Sequence, residues 1–245
     1  MYRQIILVLL QLLIISPVVF FTIKNKNRDT YYTIIAFTLF VIIHHILLFS
    51  YSLDVFHFFK QNWNWSGKFL AILGSIIFLI FYKKYPISEY GITLHQKPNS
   101  IRFSLIVLSV FAFATISIGF FASNKANFNL ETLMFQLTIP GIDEELAFRG
   151  IMIGLLSQIL VDNIKIKNLK FINPSVLITS ILFGLLHALN LNKNFNISFD
   201  LIMFLQMFSM GFVMGWVFVK SKSIVFPIII HNISNVIMVL IPMLL

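Results

Sequence analysis

Eight long apolar runs separated by short polar connectors dominate the chain, and that recurrence fixes most of what it can fold into. A helix needs about 20 apolar residues, within a range of ~17–25, to cross the hydrocarbon of a bilayer. Runs on this scale fall at residues 4–23, 31–53, 67–82, 103–122, 131–160, 174–190, 201–219 and 224–245. A backbone in lipid must satisfy its own polar groups, which restricts spanning segments to helices and closed barrels. Runs this long and this uniformly apolar predict helices. The expected fold is therefore all-α, a polytopic membrane helical bundle of about eight transmembrane helices forming a single membrane domain over 1–245. The third run is short, so whether it crosses is open, and the fifth is long and interrupted by Pro140-Gly141. Charged residues make up 11% of the chain, against about 25% in a soluble domain. The first run follows only Met1-Tyr2-Arg3-Gln4. It is as long as a full crossing and lacks a small-residue cleavage site, so it is expected to stay as a helix.

The net charge is +9. In a soluble chain that would suggest nucleic acid. Here the basic residues lie in short connectors, so they act as topology signals, membrane lipids are the expected surroundings, and no nucleic-acid partner is expected. Connectors after the odd-numbered runs hold twelve: Lys24, Lys26, Arg28, Lys83, Lys84, Lys97, Arg102, Lys165, Lys167, Lys170, Lys220 and Lys222. The opposite side holds five, namely Arg3, Lys60, Lys68, Lys125 and Lys193. This imbalance predicts a multi-pass protein with both termini outside. Trp63 and Trp65 read as interfacial anchors, and the polar stretch 83–102 is expected to lie along the cytoplasmic surface. The absence of cysteine excludes disulfides and thiol chemistry.

Ionisable side chains within spans are costly and mark functional candidates by default. They are His44, His45, Asp143, Glu144, Glu145, Arg149, His187 and His231, with Asn235 one turn beyond His231. Glu145 and Arg149 are four residues apart with the acid first, the favourable order for a helical pair. Glu144, rotated by ~100° from Glu145, has no basic residue at helical spacing and needs a partner from another helix, which suits it to general-base work. Asp143 is expected to help restart the helix after Pro140-Gly141, where an acid meets the positive dipole end. His187, with Phe183 one turn before it, and His231, on one face with Asn235, could meet Glu144 and supply a water activator and oxyanion donors. His44 and His45 point apart and have no acid nearby in sequence, so they are expected to pack structurally. Gly211-x-x-x-Gly215 predicts a close helix contact.

Glu144-Glu145-x-x-x-Arg149, then Phe183-x-x-x-His187, then His231-x-x-x-Asn235 resembles the motif series of the CPBP family, the CAAX-prenyl-protease and bacteriocin-processing intramembrane proteases also called Abi. The resemblance covers 130–240 as a catalytic core. It implies an intramembrane endopeptidase acting on membrane-associated substrates, either prenylated CAAX-like proteins or bacteriocin and signal-peptide precursors. Glu144 with His187 would activate water, His231 and Asn235 would stabilise the oxyanion, and Glu145, Arg149 and Phe183 would support the site. Some descriptions class the family as metalloproteases. Glu144, His187 and His231 would then be the zinc ligands, but no HExxH is present and no cofactor is favoured. The composition, rich in Asn, Lys and Ile, suits a bacterial plasma membrane. Two alternatives are a non-catalytic immunity or partner-binding protein of the same fold, and an ion-coupled transporter, for which paired broken helices are missing.

Overall fold

The computed structural model describes residues 2–59, 61–122, 125–166 and 169–245. Lys60 and Lys167, counted above as orienting charges, lie outside the described residues. The helices are α1 (Tyr2–Thr22), α2 (Arg28–Phe49), α3 (Trp65–Phe81), α4 (Ser100–Ala122), α5 (Leu130–Glu144), α6 (Ile153–Ile159), α7 (Pro174–Ala188), α8 (Leu201–Ser221) and α9 (Val225–Leu244). A π-helical segment, Glu145–Met152, joins α5 to α6. The three form one continuous rod, so the described residues build eight rods that coincide with the eight apolar runs. Short hairpins pair Ile164–Ile166 with Leu169–Ile172, and Leu189–Leu191 with Ile197–Phe199. The fold is an all-α membrane bundle. Five helices, α1, α2, α4, α8 and α9, are long and apolar enough to cross a membrane, whereas α3 and α7 have only 17 and 15 residues.

Polar caps set where the helices begin. Asn27, Asn64, Asn129, Asn173 and Asp200 each accept a backbone N–H in the first turn of α2, α3, α5, α7 and α8. Such a cap contributes about 1 kcal/mol, and Pro174 opens α7 where its missing N–H costs nothing.

The α5–π–α6 rod forms the centre. α5 packs against α3 and α9, the π segment touches α3, α7, α8 and α9, and α6 meets α2 and α7. Ala147, Ile151, Leu155 and Leu156 on this rod have no exposed surface. α4 behaves differently, with Leu105, Ile106, Val110 and Phe113 all exposed, as a lipid-facing helix requires. Helices in lipid gain little from apolar burial against one another and associate through close packing. α7 and α8 do so at the glycines singled out above. A Cβ on Gly215 would lie 2.8 Å from Val176 Cγ1, and one on Gly211 would lie 3.2 Å from Ser180 Cα.

The stretch 83–102 forms no spanning helix. It contains a 3-10 turn at Ile87–Tyr90, and the carbonyl of Gly91, a residue at φ 64°, accepts from Ile224 N–H. Trp63 and Trp65 are more than interface anchors. Trp63 stacks on Phe135 at 5.2 Å, and both indoles donate to the start of α5, to Thr132 and Glu131 respectively.

The expected break at Pro140-Gly141 does not occur. The helix continues through both residues to Glu144, and the irregularity appears four residues later as the π segment. Proline removes an i→i−4 bond without ending this helix, and the backbone N–H of Gly141 turns aside to Asn232 Oδ1 on α9 at 2.9 Å. A Cβ on Gly141 would sit 2.3 Å from that oxygen, so only glycine permits the approach.

Candidate active site

The polar side chains converge where the rod changes from α to π. Glu144 ends α5, and Glu145 opens the π segment that also carries Arg149. π turns are wider than α turns and recur at functional sites. Here the positions four apart still meet, with Arg149 Nε 3.0 Å from Glu145 Oε2. The expected Glu145–Arg149 pair is therefore present, and both residues are fully buried. Arg149 also donates from Nη2 to the Gly211 carbonyl at 3.4 Å and stacks on Phe183, its Cζ 4.7 Å from the ring centroid.

His231 on α9 joins this pair. Its Nδ1 lies 2.7 Å from Glu145 Oε1, and Nε2 lies 3.8 Å from Glu144 Oε2. Because a carboxylate accepts, Nδ1 carries the proton and Nε2 faces Glu144. His187 on α7 is half-buried. Its Nδ1–H donates to the Phe183 carbonyl at 2.8 Å, which leaves Nε2 as the free ring nitrogen. The Phe183 ring stands between the two histidines, 4.7 Å from His187 and 6.3 Å from His231, and meets Phe148 edge-on at 5.2 Å. Phe183 thus spaces both imidazoles and the guanidinium.

Glu144 takes a partner from another helix, as expected, and that partner is Lys68, whose Nζ reaches its Oε1 at 2.5 Å. Other sequence expectations are corrected here. Lys68 had been counted as a connector charge. It lies instead in the first turn of α3, buried against the rod. Asp143 does not restart a helix. It lies inside α5, is fully buried, and accepts from Lys68 through Oδ2 at 2.9 Å and from His44 Nε2 through Oδ1 at 3.0 Å. His44 is therefore part of the cluster and not a packing residue. His45 faces elsewhere and meets Gln4 at 3.1 Å. Asn235 is half-buried and makes no side-chain hydrogen bond among the described residues. Its neighbour Asn232 ties α9 to α5 through Gly141 N–H and the Thr138 carbonyl.

Lys68, His44 and Asn232 were missed because their partners lie far away in sequence. One signal was available: three carboxylates inside a span against a single arginine require another cation, and Lys68 is the basic residue within an apolar run. Nearby, an apolar crevice of about 490 Å³ between α2 and α3 is lined in part by His44.

A zinc ion fits this donor set poorly. The Lys68 ammonium occupies one oxygen of Glu144 and would repel a dication, and no group of three His, Asp or Glu side chains among the described residues converges as metal ligands.

No curated protein and no solved structure matches the chain. Residues 125–237 do match a family, described as type II CAAX prenyl endopeptidase Rce1-like. The matched span contains Glu144, Glu145, Arg149, Phe183, His187, His231 and Asn235. With its long apolar helices, the chain is an integral membrane protein, and its residues 125–237 are similar to the Rce1-like type II CAAX prenyl endopeptidase family of proteases.

Proposed function

We propose that this protein is an intramembrane endopeptidase that hydrolyses membrane-associated peptide or lipidated protein substrates with a water activated by Glu144, without a metal. The observation that carries the reading is the geometry of Glu144: Oε1 is engaged by Lys68, while Oε2 accepts no hydrogen bond among the described residues and faces His231 at 3.8 Å. Glu144 Oε2 takes a proton from water, and the oxygen attacks the scissile carbonyl carbon. His187 Nε2 helps to orient the water. The oxyanion is stabilised beside the His231 ring and accepts from the Asn235 amide, in the manner of a pre-organised oxyanion site. Glu144 then delivers its proton to the amide nitrogen, the C–N bond breaks, and a carboxylic acid and an amine leave.

Prenylated CAAX-like proteins and bacteriocin or signal-peptide precursors are the substrate classes proposed. The apolar crevice lined in part by His44 supports an apolar or lipidated chain. A bacterial plasma membrane with both termini outside is the proposed setting, from the composition and the twelve-to-five distribution of basic residues.

Comparative peptidomics of cells carrying the wild-type or the Glu144→Ala protein tests the activity. Peptides that appear only with the wild type, and cleavage of the same peptides by purified protein in liposomes, are expected. Cleavage retained in Glu144→Ala would reject the mechanism. Protection or partner binding that survives Glu144→Ala and His187→Ala, with no cleavage by the wild type, would favour the non-catalytic role.

A further inference from the structure

We propose that Lys68, supplied by the N-terminal half of the chain outside the family match, is a positioning residue of the reaction: it fixes Glu144 through Oε1, and Asp143 with His44 fixes Lys68. The inference rests on the protease reading above.

Lys68 stands on a rigid base. A Cβ on Gly67 would lie 2.1 Å from the Leu48 carbonyl, so the first turn of α3 sits directly on the end of α2. Asn64 fastens the same junction, capping Gly67 N–H and donating to the Leu48 carbonyl at 2.9 Å. The preceding residues are pinned to α5, the helix that carries both carboxylates. Glu131 accepts from Asn62 and from the Trp65 indole, and Trp63 lies on Phe135. Lys68 is thus registered against α5 from two directions before its ammonium meets Asp143 and Glu144.

The assignment of oxygens gives Lys68 its role. Both oxygens of Asp143 are taken, one by His44 and one by Lys68, so Asp143 has no oxygen free for substrate. Glu144 keeps one free oxygen, and the Lys68 contact at the other decides where it points. A buried ammonium costs several kcal/mol unless it is paired. A lysine here with no function would therefore be an expensive way to fill space. Holding the base oxygen in one orientation is worth orders of magnitude in rate when the reacting atoms must align.

The test uses a membrane-associated peptide that the full-length protein cleaves in liposomes. Wild-type cleavage, and its loss in Glu144→Gln, are the controls for the protease reading. If either control fails, that reading fails and not this inference. With both in hand, the Lys68→Met/Asp143→Asn double variant removes one charge of each sign. It is expected to stay folded by thermal unfolding, to keep its KM, and to lose about 100-fold in kcat. A folded double variant with kcat within about threefold of wild type would overturn the proposal and leave Lys68 as charge compensation only. If the double variant does not fold, Lys68→Arg decides, because it keeps the charge and changes the reach. A drop in kcat of about tenfold or more at unchanged KM supports positioning, and wild-type kcat rejects it.

Discussion

Nδ1 of His231 lies 2.7 Å from Oε1 of Glu145, while Arg149 lies 3.0 Å from the other oxygen of that carboxylate. One buried acid therefore holds both the imidazole of α9 and the guanidinium of its own helix. Glu145→Gln would leave Arg149 as an unpaired charge with almost no solvent contact. Breaking one partner of a buried pair costs about 3–5 kcal/mol. Glu145→Gln is expected to lower stability by that order in micelles, followed by thermal or denaturant unfolding. Glu145→Gln/Arg149→Met, which removes both charges, is expected to recover much of the stability. It is not expected to recover cleavage, because His231 stays unfastened.

Gly141→Ala probes the seam between α5 and α9. The added Cβ would fall 2.3 Å from Asn232 Oδ1, so the hydrogen bond from Gly141 N–H to Asn232 is lost and α9 is pushed away. Overpacking of this kind costs about 1–3 kcal/mol. Because His231 adjoins Asn232, cleavage is expected to fall along with stability. Gly141→Ala/Asn232→Ala removes the clash, and unfolding midpoints of the single and double variants measure the relief. A Gly141→Ala protein with wild-type stability would contradict the close approach.

Two kinds of structure were readable from the sequence alone. Apolar runs on the scale of a bilayer predicted the eight rods, because lipid leaves a chain few alternatives. The Glu145–Arg149 pair was visible because both residues share one helix. Asp143 was misread, and the Lys68 partner of Glu144 was missed, because these partners come from α2 and α3, 75 or more residues away. No helical period links such positions. Lys68 was hidden by its place at the start of a helix, where a basic residue looks like a membrane-boundary charge. Pro140-Gly141 looked like a break because propensity favours one. The tertiary hydrogen bond from Gly141 to Asn232 keeps the helix going, and that bond is invisible without α9.

Chelation gives a separate prediction. The ammonium of Lys68 beside Glu144 leaves a poor site for a dication. Cleavage by purified protein is expected to be unchanged after dialysis against a strong chelator. Lost cleavage that returns on adding zinc would reassign Glu144, His187 and His231 as ligands, and would require Lys68 to move.

The α7–α8 contact links packing to the site. Gly211 lets the backbone of α8 approach Ser180 and Phe183 on α7, and its carbonyl accepts from buried Arg149. A leucine there has no room, since even a Cβ would touch Ser180 Cα at 3.2 Å and Phe183 Cβ at 3.4 Å. Gly211→Leu is therefore expected to move α8 outward, take the carbonyl from Arg149 and loosen Phe183, which spaces His187 from His231. The stability cost is expected to be about 1–3 kcal/mol, with a fall in kcat larger than that in a matched control. Leu105→Ala on the exposed face of α4 is that control, expected to stay within about 0.5 kcal/mol of wild type. Unfolding midpoints and cleavage rates measured side by side would check both, and equal effects at the two positions would show that the glycine contact does not support the site.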